Sequence, residues 1–100
     1  MKLLYSRKSI EDIENTTDYI ENQLNNPAAA HKLTTTLLKK ISHLKENPEI
    51  GMKLSDKIDI ESDYRYIIIN KQIVFYEIHS DYIEIIRILD GRTDYMTHLF

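Results

Sequence analysis

Apolar residues in the last third of the chain fall into three short runs joined by polar connections of no more than two residues, at Asn70-Lys71 and Ser80-Asp81. The runs are Tyr64–Asn70, Gln72–His79 and Tyr82–Leu89, and isoleucine and tyrosine dominate them. Runs rich in β-branched and aromatic residues are typical of packed strands. Because two residues are too few for a crossover, the pattern predicts three antiparallel neighbours. A polar tail begins abruptly at Asp90.

The first half of the chain begins with a short strand and continues as a helix. Apolar residues predict a strand over Lys2–Tyr5, and Ser6 or Ser9 can cap the helix that follows. Ser9 and Asp12 have the spacing of a capping box. The apolar face of this helix repeats every three or four residues, at Ile10, Ile13, Thr17, Ile20 and Leu24.

A second helix begins at Asn26-Pro27, where Asn is a favourable cap and Pro suits the first helical position. It ends before Asn47-Pro48, because the residue before a proline resists helical geometry. Its apolar face comprises Ala30, Leu33, Leu37, Ile41 and Leu44. The short link predicts an antiparallel helical hairpin. Residues 49–63 are predicted to form a loop with weak strand potential at Ile58–Ile60.

These elements predict an α+β fold in the order β-α-α-β-β-β. Residues 1–100 form a single domain, with a small antiparallel-rich sheet, a helical hairpin on one face and a short C-terminal turn or helix. The residues that we expect to bury the hairpin on the sheet are Ile13, Ile20, Leu33, Leu37, Ile41 and Leu44.

Composition excludes several classes of protein. The chain has no cysteine, so it lacks disulfides and thiolate metal sites. No apolar run is long enough to span a membrane, and we expect a cytoplasmic protein. With two glycines, it cannot build a phosphate-binding or dinucleotide-binding loop. The four histidines show neither metal-binding spacing nor clustered carboxylates, so no metal or other cofactor is expected.

The two predicted helices carry opposite charges, with acidic residues on the first and lysines on the second. The first carries five acidic residues and no base among them: Glu11, Asp12, Glu14, Asp18 and Glu21. The second carries Lys32, Lys39, Lys40 and Lys45. This pattern favours complementary flanks across the hairpin. The alternative is a basic stripe for a polyanion, which the net charge of −3 disfavours.

The order of elements and the residues within them resemble the RelE/ParE family of bacterial toxins over nearly the whole chain. Matching pieces include Leu4-Tyr5-Ser6, Asn26-Pro27 with Ala29-Ala30, Asn47-Pro48 with Gly51, and Tyr64-Arg65-Tyr66. The end matches best, through Ile73-Val74-Phe75-Tyr76, Ile85-Ile86-Arg87-Ile88-Leu89 and Gly91-Arg92-Thr93-Asp94. The resemblance implies the growth-inhibiting toxin of a type II toxin–antitoxin system, neutralised by a cognate antitoxin protein.

The family contains two kinds of toxin, and the resemblance leaves both open. RelE-like members cut ribosome-bound mRNA, and ParE-like members block DNA gyrase. Metal-independent RNA cleavage needs a base, an acid and cations to stabilise the phosphorane. The candidates near the sheet and tail are Arg65, Arg87, Arg92, His79, Tyr95 and His98. Whether the protein is an enzyme therefore depends on which kind it is.

Three departures favour the ParE-like alternative. Ile73 stands where some family nucleases carry an arginine, and Asp90–Asp94 loses a histidine and a base from the motif His-Gly-Arg-Arg-Asp. The chain is also acidic, whereas docking on ribosomal RNA favours a basic protein. The alternatives are a RelE-like endoribonuclease and an inactive module that retains only antitoxin binding.

Each candidate arginine also has a structural interpretation. Arg65 can pair with Asp63 or another nearby carboxylate. Arg87, placed by alternation on the strand face of Ile83, Ile85 and Leu89, is either a rim residue or one half of a buried ion pair. Arg92 is the strongest functional candidate. We expect residues 94–100 to form a helical turn that holds Arg92 at the mouth of the open sheet face.

Overall fold

The computed structural model describes all 100 residues. Its centre is a five-stranded sheet with strands in the order β1-β5-β4-β3-β2. The strands are β1 (Lys2–Tyr5), β2 (Met52–Lys53), β3 (Tyr64–Ile69), β4 (Gln72–Ile78) and β5 (Tyr82–Asp90). β1 runs parallel to β5, and every other neighbouring pair is antiparallel.

Two long helices and one short helix complete the fold. They are α1 (Arg7–Asp18), α2 (Pro27–Ser42) and α3 (Met96–Leu99). A π-helical turn, Tyr19–Gln23, extends α1, and 3₁₀ turns occupy His43–Lys45, Pro48–Ile50 and Leu54–Asp56. The predicted α+β order is confirmed, with β2 as an addition. The weak strand expected at Ile58–Ile60 does not form, and the short strand of this loop lies earlier, at Met52–Lys53.

A side chain at the start of each long helix sets its first boundary, and the link between the helices turns at an asparagine. Ser6, rather than Ser9, caps α1, since its hydroxyl accepts a hydrogen bond of 3.0 Å from the Ser9 N–H. Asn25 then adopts a left-handed φ of 49°, which asparagine tolerates better than most residues. Asn26 caps α2 through the Ala29 N–H at 3.1 Å, as the sequence predicts.

The core has two parts, one on each face of the sheet. The part beneath the helices contains Leu37, Ile41, Leu44, Ile69, Val74, Tyr76, Ile83, Ile85 and Ile88. The part on the opposite face contains Leu54, Tyr66, Ile73, Phe75 and Leu89. α2 buries the predicted positions Leu37 and Ile41, and the 3₁₀ turn that follows it buries Leu44. Ile13 and Leu33 are partly buried against the same cluster.

The buried face of α1 differs from the predicted one. Ile10 is 46% exposed and Leu24 is 56% exposed, whereas Ser9 and Asp12 are buried. Ile13, Thr17 and Ile20 are partly buried as predicted, so the buried face is rotated toward Ser9 and Asp12. The rotation arises because α1 meets a polar sheet edge as well as apolar strand residues.

A β-bulge in β5 changes which side chains share a face. Phe75 pairs with Arg87, whereas the next residue, Tyr76, pairs with Ile85, so Ile86 is the extra residue. Arg87 therefore shares a face with Phe75 and Leu89, and the predicted grouping of Arg87 with Ile83 and Ile85 is wrong. Strict alternation fails here because one extra residue reverses the two faces.

Truncation of a core leucine in α2 tests this packing. Leu37 is 1% exposed, so Leu37→Ala should lower the free energy of unfolding by about 2–5 kcal/mol. Its neighbour Leu38 is 44% exposed, and Leu38→Ala should cost about 1 kcal/mol or less. Urea denaturation of the two variants checks the difference, and equal losses would contradict the orientation of α2.

Candidate functional site

The edge of β5 that β1 leaves unpaired is completed by side chains from α1 and its cap. β1 ends at Tyr5, which lies opposite Ile85. Beyond that point the Ser6 hydroxyl donates to the Ile86 carbonyl at 2.8 Å. The Asp12 carboxylate accepts a hydrogen bond from the buried Ile88 N–H at 2.9 Å. These two side chains supply the partners that a longer first strand would otherwise supply.

Arg87 binds the same carboxylate through two parallel hydrogen bonds. Its Nε lies 2.8 Å from Oδ2 of Asp12, and its Nη2 lies 2.7 Å from Oδ1. The two side chains are 13% and 9% exposed. Hydrogen bonding to Asp12 raises the pKa of Arg87 above its ordinary value. Arg87 is therefore the buried ion-pair partner that one of its two structural interpretations predicts.

The acidic residues of α1 do not pair with the residues that the sequence predicts. The sequence predicts pairing between the acids of α1 and the lysines of α2, but no ion pair joins these helices. Asp12 turns toward the sheet instead, because the Ile88 N–H and Arg87 offer it three hydrogen bonds at one place.

Arg65 binds the backbone of the loop before β2. Its Nη1 donates to the Gly51 carbonyl at 2.8 Å and to the Glu49 carbonyl at 3.3 Å. The expected pairing with Asp63 or another carboxylate is therefore wrong. The guanidinium binds the carbonyl oxygens of Glu49 and Gly51 because their loop packs directly over this part of the sheet.

Tyr76 of β4 also holds this loop through hydrogen bonds of its hydroxyl. Its hydroxyl donates to the Pro48 carbonyl at 2.7 Å and accepts from the Gly51 N–H at 2.9 Å. Burial raises the pKa of Tyr76. A Cβ at Gly51 would collide with this hydroxyl and lie 2.8 Å from the Tyr66 carbonyl oxygen, so the close approach requires glycine.

The C-terminal tail forms the expected short helix, α3, and packs on the sheet face opposite α1 and α2. The Tyr95 ring lies 5.2 Å from that of Phe75, and Phe100 stacks on Tyr64 at 5.9 Å. The His98 side chain is exposed, while its carbonyl lies 3.5 Å from Nη1 of Arg87. Tyr95 is thus a packing residue, and His98 offers a free imidazole.

Arg92 lies in the turn after β5 and projects into solvent. Its side chain is 90% exposed, and its Nε lies 3.0 Å from Oδ1 of Asp90. Hydrogen bonds from Arg92 lower the pKa of Asp90. The sequence predicts that the tail holds Arg92, but Asp90 holds it instead, because the backbone turn brings these two side chains together.

Two lysines that the sequence analysis missed lie beside Arg92. We use the name Arg92 patch for the shallow depression lined by Lys57, Ile68, Lys71, Ile73, Asp90, Gly91 and Arg92. Ile68 is 62% exposed, and the patch adjoins the part of β3 that the two-residue strand β2 leaves unpaired. The backbone bond from Gly91 N–H to the Lys71 carbonyl at 2.8 Å joins its two turns. These residues come from three separate segments, and it is the pairing of β4 with β5, beginning at Gln72 and Asp90, that brings Lys71 next to Arg92.

The candidate catalytic residues do not form one cluster. Arg65 pairs in register with Tyr76 on the helix-covered face, whereas Arg87 pairs with Phe75 on the other face. Arg92 extends from the end of β5. Among the six candidates, Arg87 contacts the His98 carbonyl, and the His98 N–H donates to the Tyr95 carbonyl within the C-terminal turn. No contact joins two of their side chains.

One further cluster contradicts the expectation that no histidine lies among carboxylates. Nε2 of His79 lies 3.2 Å from Oε1 of Glu77 and 3.4 Å from Oε1 of Glu84. The Tyr82 ring stacks on His79 at 4.4 Å. Burial, followed by the charges of Glu77 and Glu84, raises the pKa of nearby Tyr64. Glu77 is close to His79 in the sequence, two residues before it. Glu84 comes near His79 only because β4 pairs with β5, which the histidine spacing does not indicate.

Comparison with known proteins places this architecture among the toxins of toxin–antitoxin systems. A family model described as "ParE toxin of type II toxin-antitoxin system, parDE" matches residues 3–95, and the chain belongs to this family. It is accordingly a ParE-like toxin component of a type II system, whose partner is a cognate antitoxin. The resemblance seen in the sequence is confirmed. No curated protein sequence matches the chain.

A solved structure has the same fold. The chain is similar to a structure described as "Chromosomal ParDE TA system from P. aeruginosa", with a TM-score of 0.75 and 19% sequence identity. The match covers 90% of this chain and 95% of the other. None of the helices is long and apolar enough to cross a membrane.

Removal of the Asp12 carboxylate tests its structural role. Asp12→Ala leaves Nε and Nη2 of Arg87 and the buried Ile88 N–H without a partner, and should lower the free energy of unfolding by about 3–5 kcal/mol. The adjacent Glu11 is exposed, and Glu11→Ala should change stability by about 0.5 kcal/mol or less. Chemical denaturation measures both. A loss below about 1 kcal/mol in Asp12→Ala would contradict the account of this edge.

Proposed function

We propose that this chain inhibits bacterial growth by binding DNA gyrase in the cytoplasm, and that the cognate antitoxin neutralises it by binding the toxin. The proposal combines family membership with the ParE-like mode of action expected from the sequence. In this mode of action the protein inhibits gyrase by binding to it and catalyses no reaction.

The observation that carries the proposal is the engagement of two candidate arginines by the fold itself. A nuclease needs guanidinium groups free to stabilise charge on a transferring phosphate. Arg87 donates hydrogen bonds from Nε and Nη2 to the Asp12 carboxylate. Arg65 donates from Nη1 to the Gly51 carbonyl of the loop. Moving Arg87 to a phosphate would leave the buried Asp12 carboxylate without its cation, which is costly. Moving Arg65 would release the Gly51 carbonyl of the loop before β2.

Arg92 and its patch are the preferred contact for a protein target. The exposed guanidinium pairs with Asp90 on the surface, where an ion pair contributes little and is easily exchanged for another carboxylate. The neighbouring lysines and the exposed Ile68 add charge and apolar area to the same surface. Such a surface suits an acidic segment with apolar side chains.

Purified components can test the target directly. The full-length toxin should inhibit ATP-dependent supercoiling of relaxed plasmid by gyrase, and equimolar antitoxin should restore it. Topoisomerase IV provides a control for nonspecific DNA effects. In cells, brief induction should activate the DNA-damage response while transcript ends stay unchanged. New codon-associated transcript ends with unimpaired gyrase would instead establish a ribosome-dependent endoribonuclease, with Arg92 and His98 as its exposed candidates.

A substitution in the patch tests the surface independently of the target. Arg92→Ala should abolish growth inhibition and leave the thermal melting temperature nearly unchanged, because the side chain is 90% exposed. Arg7→Ala, which removes an exposed arginine at the start of α1, should remain toxic. Viable counts after induction, with toxin levels matched by immunoblot, measure the effect. Full toxicity of Arg92→Ala would remove Arg92 from the functional surface.

A further inference from the structure

The cluster of Glu77, His79 and Glu84 is unexplained by the function proposed above. It lies on the sheet face opposite α1 and α2, at the end of the β4–β5 hairpin. Glu77 and Glu84 face each other directly across the two strands. Like charges placed opposite each other destabilise a strand pair, so this position favours a cation between them.

His79 is oriented toward that position by neighbouring contacts. Its backbone N–H donates to the Tyr82 carbonyl at 2.8 Å, and its ring stacks on the Tyr82 ring with an interplanar angle of 14°. Nε2 is buried yet makes no hydrogen bond, although a carboxylate oxygen lies on each side of it. The nitrogen is thus directed at the cluster without a partner of suitable geometry.

The distances within the cluster are those of ligands that share one metal ion, and Nε2 of His79 makes no hydrogen bond to either carboxylate. Zinc binds imidazole nitrogen and carboxylate oxygen at about 2.0–2.2 Å, so two ligands of a tetrahedral site lie about 3.3–3.6 Å apart. The observed separations from Nε2 are 3.2 and 3.4 Å, and all three donor atoms lie within 4.8 Å of one another. The three donor atoms can occupy three corners of a tetrahedron when both carboxylates turn toward a shared ion.

We propose that Glu77, His79 and Glu84 form a binding site for a divalent transition-metal ion, with zinc as the preferred occupant. One imidazole and two carboxylates suit zinc better than magnesium, which favours oxygen ligands alone. The ion neutralises the facing carboxylates and joins β4 to β5. Three protein ligands leave a fourth position for water or for a side chain of a bound protein.

Calorimetric titration of the untagged full-length chain tests the site. We expect one zinc ion to bind per chain at neutral pH, with at least tenfold weaker binding of magnesium. His79→Ala should weaken zinc binding at least tenfold, whereas His43→Ala should leave it unchanged because His43 is an exposed residue outside the cluster. Absence of zinc binding by the native chain, or equal affinity in His79→Ala, would overturn the proposal.

A second variant keeps the test decisive if His79→Ala folds poorly. Without metal, Glu84→Gln should fold at least as well as the native chain, because it removes one of two facing negative charges. Zinc should raise the melting temperature of the native chain and raise that of Glu84→Gln much less. Equal zinc-induced shifts in the two proteins would show that the carboxylate is not a ligand, and would also overturn the proposal.

Discussion

The carboxylate of Asp12 completes a sheet edge that the backbone leaves open. β1 is four residues long and β5 is nine, so the second half of β5 lacks a neighbour on that side. Asp12 accepts from the Ile88 N–H and from two nitrogens of Arg87, which fixes α1 against the edge. Arg87 in turn reaches toward the His98 carbonyl on the other face. One buried ion pair thus connects the first helix, the central region of the sheet and the tail.

The pairing of Arg87 with Asp12 limits which arginines are free to bind a target or substrate. A guanidinium held by a buried carboxylate cannot leave it without a large cost, so Arg87 serves the fold. Arg65 serves the loop around Gly51 in the same way, through backbone carbonyls. Arg92 is the exposed one of the three arginines, and it lies beside Lys57 and Lys71 on a protein whose net charge is −3. An inhibitor that binds a protein target through that side is consistent with both the family and the chemistry.

The sequence predicts the element order well because hairpin lengths, caps and apolar periodicity are local features. It misplaces the buried face of α1, since Asp12 is buried by a partner 75 residues away that periodicity does not register. It also misplaces Arg87, because the extra residue Ile86 in β5 reverses the alternation. The Glu77, His79 and Glu84 cluster and the Arg92 patch escape prediction for a related reason: both depend on strand pairing in register, which brings together residues from separate segments.

A double-mutant cycle between Asp12 and Arg87 tests the central claim most directly. The free energy of unfolding is measured for the native chain, Asp12→Ala, Arg87→Ala and the double variant. If the pair organises the edge of β5, the coupling energy should be about 1.5–3 kcal/mol, in the range of charged hydrogen bonds. Additive losses, with a coupling below about 0.5 kcal/mol, would show that Arg87 is not committed to Asp12 and would return it to the list of residues free to act on a substrate.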